Sequence, residues 1–447
     1  MGCGVFGRPG HGKGKAHPSN FVQYVAFTCF VSAMGSLILG VSGEVSVSGI
    51  AERWKDLSGS KNWEGLLDPL DSDLRRYLIH YGSMVAAVYD SFINEPISKN
   101  VGLCRYARKN LLRESGHDNG NPFKYEVTKY FYSPSTVPTA MDYLIQPLRA
   151  DAVLKQSNWM GYVAVATDDG KAALGRRDIL VAWRGTVRPA EWVKNFEFLF
   201  VKAPLIFGQD SDPLVHKGFY DMYTAVNPDP VLKAVSARDQ IREEVSRLVE
   251  QYKGEEISIT LAGHSLGSSL ATLTAVDLAT NPINKNTPPI TAFLFASPKV
   301  GEHNFKTAVS NLTDNLKILR LTDANDIVPT LPPFGVQENT TLPILSYEHV
   351  GLEFDFDASK SDYLDGFKAS WHALVTYLHG VDGFQGSGGG FKLHGDFDVA
   401  LLNKYNDQLK GNYSLIAPAE WYVVKNTGMV QQDDGSWILD DHEVDDI

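Results

Sequence analysis

Residues 257–273 read ISITLAGHSLGSSLATL. The stretch opens as a short apolar, β-branched strand, closes as an Ala/Leu/Thr helix, and bends between them at Gly263-His264-Ser265-Leu266-Gly267. With 39 glycines in 447 residues, a G-x-S-x-G pentapeptide arises by chance on the order of 0.25 times in a chain of this length. The flanks give it meaning. A strand that passes straight into a helix through so tight a turn has no room for side chains two positions either side of the serine, and glycine has none. Such a bend lifts the Ser265 hydroxyl out of the sheet. It also aims the first N–H groups of the helix, beginning with Leu266, at the place where a negative oxygen would form. Ser268, Ser269 and Ala271 are small enough to keep the helix close to the strand. Ser265 is the candidate nucleophile.

Outward from this elbow the pattern repeats. Trp159 to Asp169 and Arg177 to Thr186 are apolar, β-branched runs. Ile290 to Pro298 and Leu316 to Asp323 are two more. Between them, Ala237 to Tyr252 has Ile241, Val245, Leu248 and Tyr252 on one helical face. Near-continuous apolar strands alternating with helices indicate an α/β protein with a buried, mostly parallel sheet. Residues 51–155 read instead as helix and loop. Leu74, Leu78, Tyr81, Val85 and Val88 recur at helical spacing there, with Asp71 or Ser72 as the cap. The chain is thus divided into an extension at 1–50, a helical part at 51–155, a catalytic core at 156–385 and a C-terminal part at 386–447. The Gly-rich run at 383–390 reads as a flexible connection.

A serine nucleophile needs a base and a carboxylate to orient that base. Asp323 and Asp326 both follow the strand ending at Leu321, at the carboxyl end where sites in open α/β sheets lie. Spacing does not separate them. Asp277, in the middle of a helix, reads as solvated. His372 and His379 lie seven residues apart in SWHALVTYLHG, so one helical face would carry both about 10 Å apart. A helix N-terminus favours the neutral imidazole a base requires, which leans toward His372. Gly185 and Thr186 in AWRGT are placed to supply a second oxyanion donor beside the Leu266 N–H. Arg184 reads as a structural ion-pair partner. Trp192, Phe196 and Leu199 then recur at helical spacing, as in a lid over an apolar cleft or an ordinary core helix.

Composition narrows the class. Charged residues make up 21% and aromatics 11%, values of a globular protein. A net charge of −12 argues against a nucleic-acid partner and gives no pull toward an anionic membrane. No H-E-x-x-H or paired C-x-x-C occurs, so neither a metal nor a cofactor is expected. Three isolated cysteines (Cys3, Cys29 and Cys104) fit a reducing compartment. Residues 21–43 carry no charge and are long enough to cross a hydrocarbon core, with basic residues before them. A signal-anchor, a cleaved signal and an extension that never inserts are all open from this pattern. The stretch resembles the first membrane span of plant monosaccharide symporters, which by itself would give at most an anchor.

The segments AWRGT, EWVKN, VHKGFYDMY, GHSLG, FASPKVG and NDIVP together resemble the class 3 (fungal-type) lipases. ERWKDLSGSKNWEGLLDPLDSDLRRYLIHYG, CRYARKN, SWHALVTYLHGVDGFQG and VVKNTGMVQQDDGSW are similar to the plant class II phospholipase A1 acylhydrolases, from about Ala51 to the C-terminus. The resemblance implies an α/β-hydrolase fold and cleavage of the sn-1 ester of glycerophospholipids at a lipid surface. It assigns Ser265 as nucleophile, Asp326 as acid and His372 as base, with oxyanion donors at Thr186 and Leu266 and a lid near Glu191 to Phe200. It also implies a cytosolic enzyme, which residues 21–43 bring into question as an N-terminal membrane anchor. His349 in YEHVG stands where the family leads one to expect an acidic residue. Two other readings fit the same residues: a galactolipid or triacylglycerol lipase, and a lipase-fold signalling or binding protein with an idle site.

Overall fold

The computed structural model describes residues 48–94, 98, 100–134, 157–186, 198–226, 235–284, 287–340, 343–364, 371–403, 429–431 and 437–439. The segment 21–43 lies outside the described residues, and among these no helix is long and apolar enough to cross a membrane. Its centre is a seven-stranded sheet of β1 (Tyr125–Pro134), β2 (Ser157–Ala166), β3 (Arg177–Trp183), β6 (Ile257–His264), β7 (Ile290–Phe295), β8 (Leu316–Asp323) and β11 (Leu352–Phe356), in that spatial order. β3, β6, β7, β8 and β11 run parallel, and β2 and β1 extend the edge antiparallel. A second sheet joins β4 (Leu199–Lys202), β5 (Leu214–His216), β9 (Phe334–Gln337) and β10 (Ile344–Ser346).

Every residue of β3, β6 and β7 is buried, as expected of parallel strands covered on both faces. The twofold alternation of a strand then divides its side chains between two cores. Leu180, Ala182, Ala262, Phe293 and Phe295 pack on one face with α1 (Ser48–Leu57), α2 (Ser72–Asp90) and α8 (Leu374–Gly383). Ile179, Val181, Ile259, Leu261 and Leu294 pack on the other with α4 (Lys217–Thr224), α5 (Ala237–Gln251) and α6 (Leu266–Thr280). The α2 cap is Asp71, which accepts from the N–H groups of Asp73 and Leu74. α6 lacks a polar face because α4 and the sheet enclose it from Leu266 through Leu278. Asp277 is therefore not solvated. It is fully buried, with Arg238 at 2.8 Å, and Tyr223 donates to it at 2.9 Å.

The helical reading of 51–155 needs one correction. β1 lies inside it, built from the Val, Thr, Tyr and Phe of YEVTKYFYSP, whose side chains suit a half-buried edge strand. The apolar stripe of α2 is part of the core beneath the parallel strands. The Gly-rich run at 383–390 is also less free than its composition suggests. Gly383 ends α8, and the N–H and hydroxyl of Ser387 both donate to Asp68, at 3.0 and 2.5 Å.

Candidate active site

Ser265 stands between the end of β6 and the first turn of α6 with φ 58° and ψ −130°. A non-glycine residue in this region stores roughly 1–3 kcal/mol, which its surroundings must hold in place. They do so closely. The Ser265 N–H donates to the Phe295 carbonyl at 2.9 Å, and the Ser268 hydroxyl lies within hydrogen-bond reach of the carbonyls of Gly263 (2.7 Å) and Phe295 (2.8 Å). Both glycines of the pentapeptide are sterically required. A Cβ at 263 would run into the carbonyl of Gly267, and one at 267 into the carbonyls of Trp183 and Arg184. The second contact brings the end of β3, and Thr186 with it, close to the helix N-terminus.

The strands end where the candidate base and acid arrive. His372 sits in a turn just before Ala373, the N-cap of α8, and its Nε2 is 2.8 Å from the Ser265 hydroxyl oxygen. Its Nδ1 is 2.7 Å from the Asp326 carboxylate, in the loop after β8. Asp326 also accepts from the Val328 N–H at 2.9 Å and the Tyr377 hydroxyl at 2.8 Å. Burial works against the Asp326 charge, but hydrogen bonds from His372, Val328 and Tyr377 outweigh it and hold the carboxyl below its usual pKa. The tertiary structure thereby separates the two candidate carboxylates. Asp323 accepts from the N–H and side-chain amide of Asn325 instead, and burial pushes its pKa up to about 6.

The histidines separate in the same way. His379 is fully buried within α8, 2.7 Å from the Ser361 hydroxyl and against the ring of Phe391, and burial pushes its pKa down to about 3. His349 bonds the Pro329 carbonyl at 2.7 Å, and burial likewise takes it down to about 3. Neither approaches Ser265 in the manner of His372. Arg184 is structural, as its sequence suggests, but it pairs with no carboxylate among the described residues. Its guanidinium donates to the Trp159 and Gly185 carbonyls and lies 3.7 Å over the Phe92 ring.

Thr186 is buried, and its hydroxyl oxygen finds no hydrogen-bond partner among the described residues. A buried polar atom in that state is costly unless something arrives to bond it. Leu266 is the first residue of α6, so its N–H has no intrahelical partner either. Of the expected lid, Trp192 and Phe196 lie outside the described residues. Leu199 does not continue a helix but begins β4, pairing with Val336. The strand wins because Phe200, next in line, is buried against Tyr347 with ring centroids 3.9 Å apart. Sequence reading missed Tyr377, although it lies one turn into the helix that His372 introduces. It also gave no role to His264, in plain view inside the pentapeptide.

Parallel strands ending in a strained serine elbow are how α/β-hydrolase esterases are built, and residues 180–336 match the lipase (class 3) family. The chain is 45% identical to phospholipase A1-IIgamma of Arabidopsis thaliana over 408 residues, 89% of this chain and 94% of that protein. It is 46% identical to phospholipase A1-II 7 of Oryza sativa subsp. indica over 421 residues, 90% of this chain and all of that protein. A solved Yarrowia lipolytica lipase superposes with a TM-score of 0.42 and 19% identity, over 65% of this chain and 82% of that one. The chain belongs to the plant phospholipase A1-II family and is a carboxylic ester hydrolase.

Proposed function

We propose that the chain cleaves the sn-1 fatty-acyl ester of glycerophospholipids through an acyl-enzyme formed on Ser265. The observation that carries this is the unbroken hydrogen-bonded line from the Ser265 hydroxyl through His372 to Asp326, at 2.8 and 2.7 Å. His372 Nε2 takes the serine proton as Oγ attacks the ester carbonyl, and the carbonyl π pair moves to oxygen. The N–H groups of Leu266 and Thr186, with the Thr186 hydroxyl that has no partner among the described residues, receive that oxyanion. The bond to the glycerol oxygen then breaks, and that oxygen leaves with the proton from His372. Water attacks the acyl-serine, gives its proton to His372, and frees the fatty acid as the proton returns to Ser265. The choice of a phospholipid ester is supported by the names of the relatives.

The test uses phosphatidylcholine carrying different acyl chains at sn-1 and sn-2, beside galactolipid and triacylglycerol. Wild type should release the sn-1 acid first, and Ser265→Ala should lose several orders of magnitude of activity. Full activity in Ser265→Ala, or release from sn-2 alone, would overturn the reading. We also propose a cytosolic location, supported by the cysteine usage. Recovery of the full chain in membranes, with a chain beginning at Ala51 soluble, would instead make residues 21–43 an anchor.

A further inference from the structure

Tyr89 is the penultimate residue of α2, belongs to none of the motifs, and precedes His264 by 175 positions. Its hydroxyl is engaged on two sides. It accepts from the Gly185 N–H at 3.0 Å and lies 2.9 Å from Nδ1 of His264. The other ring nitrogen of His264, Nε2, lies 2.8 Å from the carbonyl oxygen of His372. A carbonyl only accepts, so Nε2 carries the proton. Nδ1 is then bare, and Tyr89 must donate to it. One direction of donation satisfies every member: Gly185 N–H to Tyr89, Tyr89 O–H to His264, His264 N–H to His372. Burial pushes the His264 pKa down to about 3, so the ring stays neutral and this pattern is fixed.

The two ends of this line are the two parts of the site that must keep register during acyl transfer. Gly185 precedes the oxyanion donor Thr186. His372 is held by its backbone from behind, while its ring faces Ser265 and Asp326. The line also explains the glycine of AWRGT. A Cβ on Gly185 would strike both the Tyr89 hydroxyl and the backbone carbonyl of His264, and crowd the Cβ of Ser265. We propose that Tyr89 and His264 are positioning residues, a one-way hydrogen-bond relay that fixes the oxyanion corner and the loop of the base relative to each other. The proposal rests on the serine-esterase reading above.

The experiment measures kcat and KM on a water-soluble short-chain ester for wild type, Ser265→Ala, Tyr89→Phe, His264→Gln and His264→Leu, with a thermal melt for each. A misplacement on the scale of 1 Å costs about 100-fold, so Tyr89→Phe should lower kcat by roughly 10- to 100-fold with KM within about twofold. A merely structural tyrosine would lower the melting temperature and leave kcat of the folded enzyme alone. His264→Gln keeps an N–H that can reach the His372 carbonyl, so it should retain at least about ten times the kcat of His264→Leu. Tyr89→Phe with kcat within about twofold of wild type, or equal losses in the two His264 variants, would overturn the relay. If Tyr89→Phe does not fold, the His264 pair carries the test alone. A wild type that neither turns over the ester nor reacts with a fluorophosphonate condemns the esterase reading. An active wild type with an unaffected Tyr89→Phe condemns only the relay.

Discussion

Two buried aspartates stand at opposite ends of the central sheet, each touched by tyrosine hydroxyls. Asp178, near the start of β3, accepts from Tyr81, Tyr125, Ser258 and Thr260 at 2.9, 2.6, 2.5 and 2.7 Å, with Arg176 3.4 Å away. Asp326, past the end of β8, accepts from Val328, Tyr377 and His372. Around Asp178 the partners hold their protons. Burial raises the pKa of Tyr81 and Tyr125 well above the ordinary phenol value, and Arg176 is a permanent cation. Around Asp326 one partner is an imidazole whose other nitrogen faces a serine. A buried carboxylate becomes part of a reaction when one partner can take a second proton and return it. Without such a partner it ties elements together, and Asp178 joins α2, β1 and β6 to β3.

The comparison can be broken at either end. Asp326→Asn should lower kcat by roughly 10⁴-fold through loss of the imidazole's correct tautomer, with a far smaller change in melting temperature. Asp178→Ala should do the reverse. It strands buried Arg176 and four donors, so unfolding in urea should show a loss of about 3–5 kcal/mol, while the folded fraction keeps its kcat. Tyr377→Phe removes one of three donors to Asp326 and should lower kcat by about tenfold, of the order of one charge-assisted hydrogen bond. A tenfold loss from a change far from Asp326, such as Tyr125→Phe, would remove the distinction between the two clusters.

The smallest effect concerns His379. Its pKa is pushed down to about 3 in the folded chain, so the unfolded chain binds its proton more readily. That contribution to stability is whole above the ordinary histidine value of about 6.5 and is lost as pH falls below it, by up to about 1.4 kcal/mol per pH unit. His379→Gln should therefore flatten the fall in urea midpoint between about pH 6.5 and 5. An unchanged slope would show that His379 does not titrate in this way.

Much of this molecule was legible in the chain itself. The strand, elbow and helix at 257–273 could be read because glycine at 263 and 267, β-branched residues before and Ala/Leu/Thr after act over a few neighbouring positions. Leu316–Asp323 is a strand at the limits its apolar run suggested. Local pattern misled where the deciding contact was distant. Phe200 enters a strand because Tyr347 stacks on it, and Asp277 is buried because Arg238 and Tyr223 come from other elements.

By itself the sequence determined the kind of sheet, the position of the candidate nucleophile and the chain order of the proposed serine, acid and base. Pattern left Asp323 beside Asp326 and only leaned from His379 toward His372, and family resemblance chose within each pair. Only the tertiary structure set Asp326 and His372 in hydrogen-bond line with Ser265, and it alone brought in Tyr89, His264 and Tyr377. The physical reason is range. Backbone conformation and hydrophobic period act between neighbours, whereas a hydrogen bond of 2.7 Å between residues 46 positions apart exists only after the sheet has brought their loops together.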